Sequence, residues 1–170
     1  YENASQAVTD RKLIRRINMN TETRDLDALL SDINAKVTQL GGYMENRQVY
    51  TGSSYYGDAD SRSATLTIRI PAEKLDGFVA HVEGNSNVTS ASESTEDVTL
   101  NYIAIESRMK ALQAEETRLL ELIDEAANLS ELLELEKRLT EVRTELEKVT
   151  SQLRVYDNLV DYGTVELSIT

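Results

Sequence analysis

VTLNYIAIESRMKALQAEETRLLELIDEAANLSELLELEKRLTEVRTELEKVTSQLRVYDNLV, residues 98–160, is the stretch whose reading decides the fold. Read back from its end, apolar residues fall at Val160, Tyr156, Leu153, Val149, Leu146, Val142, Leu139, Leu135 and Leu132. The spacing alternates four and three, the heptad seam of a helix packed on a helix. The same rhythm runs upstream through Val98, Tyr102, Ile105, Met109, Leu112, Glu116, Leu119, Ile123 and Ala126, with Glu116 the polar member of the row. Between the rows, Ala127-Asn128-Leu129-Ser130-Glu131 has room only for a tight reversal. Asn128 is a suitable N-cap, and Glu131 stands three residues on, where a capping-box carboxylate belongs. The expectation is two long antiparallel helices folded into a coiled-coil hairpin, each arm roughly 45 Å long at 1.5 Å per residue.

Outside this stretch the periods change. Residues 13–23 alternate as a strand, and Asp25 can cap a helix whose stripe is Leu26, Leu29, Leu30, Ile33, Val37 and Leu40. Gly41-Gly42 ends that helix. Residues 43–51 read as a second strand and residues 52–61 as a polar hairpin loop. Ala64, Leu66, Ile68 and Ile70 alternate with Thr65, Thr67 and Arg69 in the clearest strand of the chain. Pro71 stands near the start of a second helix, with Leu75, Phe78, Val79 and Val82 facing inward and Gly84 closing it. Residues 88–95 form a serine- and threonine-rich fourth strand, and Val165, Leu167 and Ile169 a last one. The fold class expected is α+β: a ferredoxin-like antiparallel sheet with helices on one face and the long coiled-coil hairpin inserted before the last strand. The domains are residues 1–96 with 161–170 for the sheet, and 97–160 for the hairpin.

Composition narrows the function. The 170 residues carry a net charge of -12, which disfavours nucleic acid and anionic lipid as partners. There is no Cys, so thiol chemistry and thiolate zinc sites are out of reach. His81 is the sole histidine and reads as a solvated surface imidazole. Asp58-Ala59-Asp60-Ser61 opens like a calcium loop, but Arg62 follows where a further oxygen ligand should. Asn-x-Ser/Thr triplets at Asn3, Asn87 and Asn128 carry no weight without a secreted eukaryotic setting. No nucleophile elbow or nucleotide-binding glycine loop occurs, and carboxylate pairs such as Glu115-Glu116 read as a charged helix face. Hence no catalytic residue, cofactor or metal is expected. The candidates for contact with a protein partner are Tyr50, Tyr55 and Tyr56 around the polar loop, Asn128 and Leu129 at the hairpin tip, and Glu116 in the seam. A second copy of the chain is also possible at the hairpin.

No run of about 20 apolar residues is present to span a bilayer. Because the chain starts on Tyr1 and stops on a strand-like segment, it is expected to be the soluble portion of a longer protein, anchored by segments outside it.

Several short motifs run through the chain in order. They are Arg11-Lys12-Leu13-Ile14-Arg15, Leu40-Gly41-Gly42-Tyr43, Arg62-Ser63-Ala64-Thr65-Leu66-Thr67-Ile68-Arg69-Ile70-Pro71-Ala72, Glu96-Asp97-Val98-Thr99, Glu106-Ser107-Arg108, Leu135-Glu136-Lys137-Arg138-Leu139 and Tyr162-Gly163-Thr164-Val165. Together they resemble domain of unknown function 4349 over nearly the whole length. The resemblance implies a bacterial cell-surface protein, extracytoplasmic and held to the membrane by a lipoprotein signal or a membrane helix, and in some relatives preceded by an anti-sigma-type zinc-finger segment. It carries no catalytic residue. The function expected is a non-catalytic interaction or sensing module that binds a protein through the hairpin, the tyrosine loop or a sheet edge. The alternative is a cell-envelope adaptor whose hairpin docks on a transport or secretion complex; an enzyme is the weakest reading.

Overall fold

The computed structural model describes residues 11–52, 55 and 61–170. It is a mixed α+β protein with a five-stranded sheet and four α-helices. In chain order these are β1 (Leu13–Glu22), α1 (Leu26–Gln39), β2 (Tyr43–Tyr50), β3 (Ser63–Pro71), a 3-10 turn (Ala72–Lys74), α2 (Leu75–Asn85), β4 (Asn87–Asp97), α3 (Thr99–Asp124), α4 (Leu129–Asp161) and β5 (Tyr162–Ile169). Two compact units emerge. One is Leu13–Glu96 with Leu159–Thr170; the other is Arg11 and Lys12 with Asp97–Asn158.

In the first unit the strand order is β2-β3-β5-β1-β4. β3 is antiparallel to β2 and to β5, but β1 and β5 run parallel, Ile17 beside Val165 and Met19 beside Leu167. This corrects the expectation of an antiparallel sheet: the last strand lies at the centre, between β3 and β1. Its apolar face explains the place. Val165, Leu167 and Ile169 are fully buried, and only a central position covers such residues from both sides. Side-chain hydrogen bonds from β1 to β4 run in opposite senses, Arg15 to Glu93 and Asn20 to Ser90.

Strand alternation sends one face of the sheet to the core. Ile17, Met19, Leu66, Ile68, Ile70, Val165 and Leu167 meet Leu29, Leu30, Ile33 and Val37 of α1 and Leu75, Phe78 and Val82 of α2 in one cluster. On the other face, Thr65 is exposed and Thr67 half-buried, but Arg69 is 3% exposed. It lies between Tyr43 of β2 and Thr164 of β5 and donates to the Thr164 hydroxyl. Tyr43 and Tyr162 meet edge to face with ring centres 5.6 Å apart.

The helix ends follow from local chemistry. Asp25 Oδ1 accepts the Ala28 N–H at 3.0 Å and caps α1. At the other end Gly41 takes φ +78°, while Gly41 N–H reaches Thr38 O and Gly42 N–H reaches Val37 O. These two bonds form a Schellman motif. A methyl on Gly42 would stand 2.4 Å from the Arg69 carbonyl oxygen, a backbone atom held in the sheet. We expect Gly42→Ala to cost about 1–3 kcal/mol or more, read by chemical denaturation. Gly77→Ala, in open space on α2, is the control and should gain about 0.5–1 kcal/mol. Equal effects at the two positions would refute the close-approach argument.

Gly84, expected to close α2, lies inside it; the helix continues to Asn85 and turns extended at Ser86. The strand after it is longer than expected and reaches Asp97. His81 is also corrected. Its side chain is 24% exposed, and Nε2 lies 2.7 Å from Asp32 Oδ2 of α1. It therefore ties the two sheet-covering helices together, and a surface wheel on α2 alone could not register α1.

In the second unit α3 and α4 lie side by side in opposite directions. Leu112, Leu119, Leu139, Val142 and Val149 are buried between them, with Ile105, Met109, Ile123, Leu135 and Leu146 packed around. Ion pairs flank this row: Arg108 with Glu145 at 2.8 Å, Arg138 with Glu115 at 2.7 Å and Arg143 with Glu116 at 3.3 Å. Near the other end the Tyr102 hydroxyl donates to Asp157 Oδ1 at 2.6 Å, and Lys12 Nζ stands 4.7 Å from the Tyr102 ring centre.

Candidate partner-binding site at the α3–α4 turn

The turn is built from its caps. Asn128 Oδ1 accepts the Glu131 N–H at 2.9 Å, and Glu131 Oε2 accepts the Ala127 N–H at 3.1 Å. The Asn128 carbonyl takes the Leu132 N–H, while Glu125 and Ala126 N–H groups close onto Leu122 and Ile123. The capping carboxylate thus reaches one residue further back than a standard capping box, to Ala127 and not to Asn128 itself. With its polar backbone groups engaged at these points, the turn is a fixed platform for side chains.

Those side chains are apolar beyond the needs of the helix pair. Leu129 is 68% exposed, Leu133 56% and Leu120 42%. Separately, Leu119, Leu122, Ala126 and Leu135 line a groove of about 410 Å³ with Glu125, Glu131, Glu134 and Arg138; Leu120, Leu129 and Leu133 are not part of its lining. The one cation of this set, Arg138, is ion-paired. Arg138 is held by Glu115 at 2.7 Å and by Glu141 at 3.3 Å, and these bonds, Glu115 first, raise its pKa above the ordinary guanidinium value. Arg118 is paired with Glu121 at 3.0 Å. The rim therefore carries three carboxylates, Glu125, Glu131 and Glu134, against one paired guanidinium.

Of the residues expected to touch a partner, Asn128 and Leu129 are here together, Asn128 as the cap and Leu129 as an exposed side chain. Glu116 is apart from them, about two turns before the end of α3 at Asp124. Its carboxylate is 29% exposed and bonded to Arg143. Tyr50 and Tyr55 belong to the sheet unit, 50% and 95% exposed. Tyr56, and Asp58 with Asp60, lie outside the described residues. Replacing Tyr55 by Ala should leave stability within about 0.5 kcal/mol, as for surface positions generally. A fall of many degrees in the melting temperature would make Tyr55 a packing residue and end its candidacy.

Leu120 and Leu133 went unnoticed in the sequence. Their signal was present: each is a leucine one step past a seam leucine, Leu119 and Leu132, where a two-helix seam needs nothing apolar. Among the described residues no group of His, Cys, Asp and Glu is placed to hold a metal ion, and no helix is long and apolar enough to cross a membrane.

Fold and turn define a mixed α+β protein, one unit of which is a pair of long helices ending in an apolar, acid-rimmed turn. Residues 11–170 match the profile of the family described as Domain of unknown function (DUF4349), and the chain belongs to that family. No curated protein and no solved structure matches it.

Proposed function

We propose that this DUF4349 domain docks on another protein through the α3–α4 turn and performs no chemistry of its own. The observation that carries the reading is the surplus of leucine. Leu120, Leu129 and Leu133 stay exposed in a helix pair that already buries its own row. Exposed leucines cost solubility, and clustered ones mark contact surfaces.

The helix pair is, in this reading, an antiparallel coiled-coil hairpin. Its support is burial: both sequence rows, from Tyr102 to Ala126 and from Leu132 to Tyr156, are buried or half-buried throughout. The sheet is read as a ferredoxin-like plan with one strand added. Removing β5 from β2-β3-β5-β1-β4 leaves the order 2-3-1-4, which is that plan. In this reading the domain works outside the cytoplasm of a bacterium, tethered to its membrane by segments other than this domain; the support is the family resemblance.

The test is photocrosslinking in cells of the source bacterium, with a benzophenone amino acid at position 133 or at Ser107, an exposed residue along α3. The reading expects a discrete adduct from 133, lost on Leu129→Ser, and none from 107. Adducts of equal yield from both positions, or from neither, would remove the turn as the contact. An adduct with a component of a transport or secretion complex would convert the module into an adaptor.

A further inference from the structure

Resting on that reading, we propose that the groove at the turn takes an apolar side chain from a basic amphipathic segment of the partner protein. Its floor is Leu119, Leu122, Ala126 and Leu135, and its rim is Glu125, Glu131 and Glu134 with Arg138. That one cation, Arg138, is paired with Glu115 and Glu141, and the three rim carboxylates outnumber it, so the groove is net acidic toward an incoming group. Charge therefore chooses among occupants. A purely apolar segment would strip water from the rim carboxylates and give nothing back, which is costly. A second copy would bring the same carboxylates onto these, and two chains of charge -12 repel at long range. Anionic lipid meets the same repulsion. A segment with Leu or Met at helical spacing, flanked by Lys or Arg, fills the floor and pairs the rim together. The groove has room for one or two such side chains, and the caps at Asn128 and Glu131 set its rim before binding, which lowers the ordering cost.

The experiment uses the full chain and synthetic peptides. The probe is a helix of Leu and Lys with Leu at heptad spacing; the comparison peptides carry Glu for Lys, or Ser for Leu. Methyl NMR and titration calorimetry should show the Leu/Lys peptide binding with shifts at Leu122 and Leu135. The Glu peptide should not bind, and the Ser peptide should bind at least roughly tenfold more weakly. Leu122→Gln, or Glu125→Lys with Glu134→Lys, should each raise Kd by about tenfold or more, the scale of one lost anchor, while Leu100→Gln on distant exposed surface should not. Circular dichroism checks that each variant is folded. Equal binding of the Ser peptide would reduce the effect to diffuse attraction by an acidic chain and overturn the proposal. So would equal binding of the Glu peptide, shifts away from the turn, or dimerisation through the turn in sedimentation. The docking reading is judged separately. If the adduct from position 133 persists when Glu125 and Glu134 are both Lys, docking stands and the basic partner falls.

Discussion

Phe78→Ala should lower the stability of the sheet unit by about 3–5 kcal/mol. Phe78 is the sole phenylalanine of the chain and is fully buried on α2. It packs into the cluster of Leu and Ile from α1 and the sheet, where the surrounding side chains are aliphatic and anchored on strands. Such a site cannot collapse far into the space that a lost ring leaves, so the cavity adds to the lost transfer energy. A domain of this size is stable by only about 5–15 kcal/mol, so the loss is a large fraction of the whole. Phe78→Leu keeps most of the volume and should cost less than about 1.5 kcal/mol beyond the methylene difference. Urea denaturation followed by circular dichroism reads both. A loss under about 1 kcal/mol for the alanine variant would mean that α2 does not carry the core over this face.

Leu139→Ala should cost roughly 2–5 kcal/mol in the helix pair, where Leu139 is 8% exposed and packed with Leu119 at 7%. The larger claim is the register. Ile123 with Leu135, Leu119 with Leu139, Leu112 with Leu146 and Met109 with Val149 all have the same sum of residue numbers, which is what an antiparallel seam about one turn requires. Glu116 then falls opposite Val142, whose side chain is 1% exposed. The carboxylate escapes by reaching Arg143, while Arg138 is engaged by Glu115 and Glu141. A pair this exposed contributes about 0–1 kcal/mol, less than a leucine would gain in the same layer. Glu116→Leu should therefore stabilise the helix pair by about 1 kcal/mol or more. Cysteines at 119 and 139 should crosslink readily, and a pair moved by one residue should not. Efficient crosslinking of the shifted pair alone would show another register. Stabilisation by Glu116→Leu together with loss of the crosslinked partner would give the carboxylate a part in binding.

The periodic features were legible from residues alone because their physics is local or strictly repetitive. The heptad rows needed only the 3.5-residue repeat, the Asp25 and Asn128 caps only a side chain within three residues of an unpaired N–H, and the Gly41 terminus only a left-handed backbone. The candidate site was legible in part: Asn128 and Leu129 follow from the turn, while Leu120 and Leu133, leucines off the seam, were missed.

Tertiary structure decided what depends on neighbours distant in sequence. Alternation in Val165, Leu167 and Ile169 says strand, but the same pattern suits an edge or a centre. The parallel pairing with β1 and antiparallel pairing with β3 put β5 in the middle of the sheet. Arg69 reads as solvent-facing in a Thr-Thr-Arg alternation, and is buried because β2 and β5 bring Tyr43 and Thr164 to either side. His81 reads as surface on its own helix and gains Asp32 from another. The pairing of Arg138 at the turn, finally, depends in part on a neighbour distant in sequence: Glu141 is three residues on in the same helix, but Glu115 comes from the other helix, and that contact is set by three-dimensional packing.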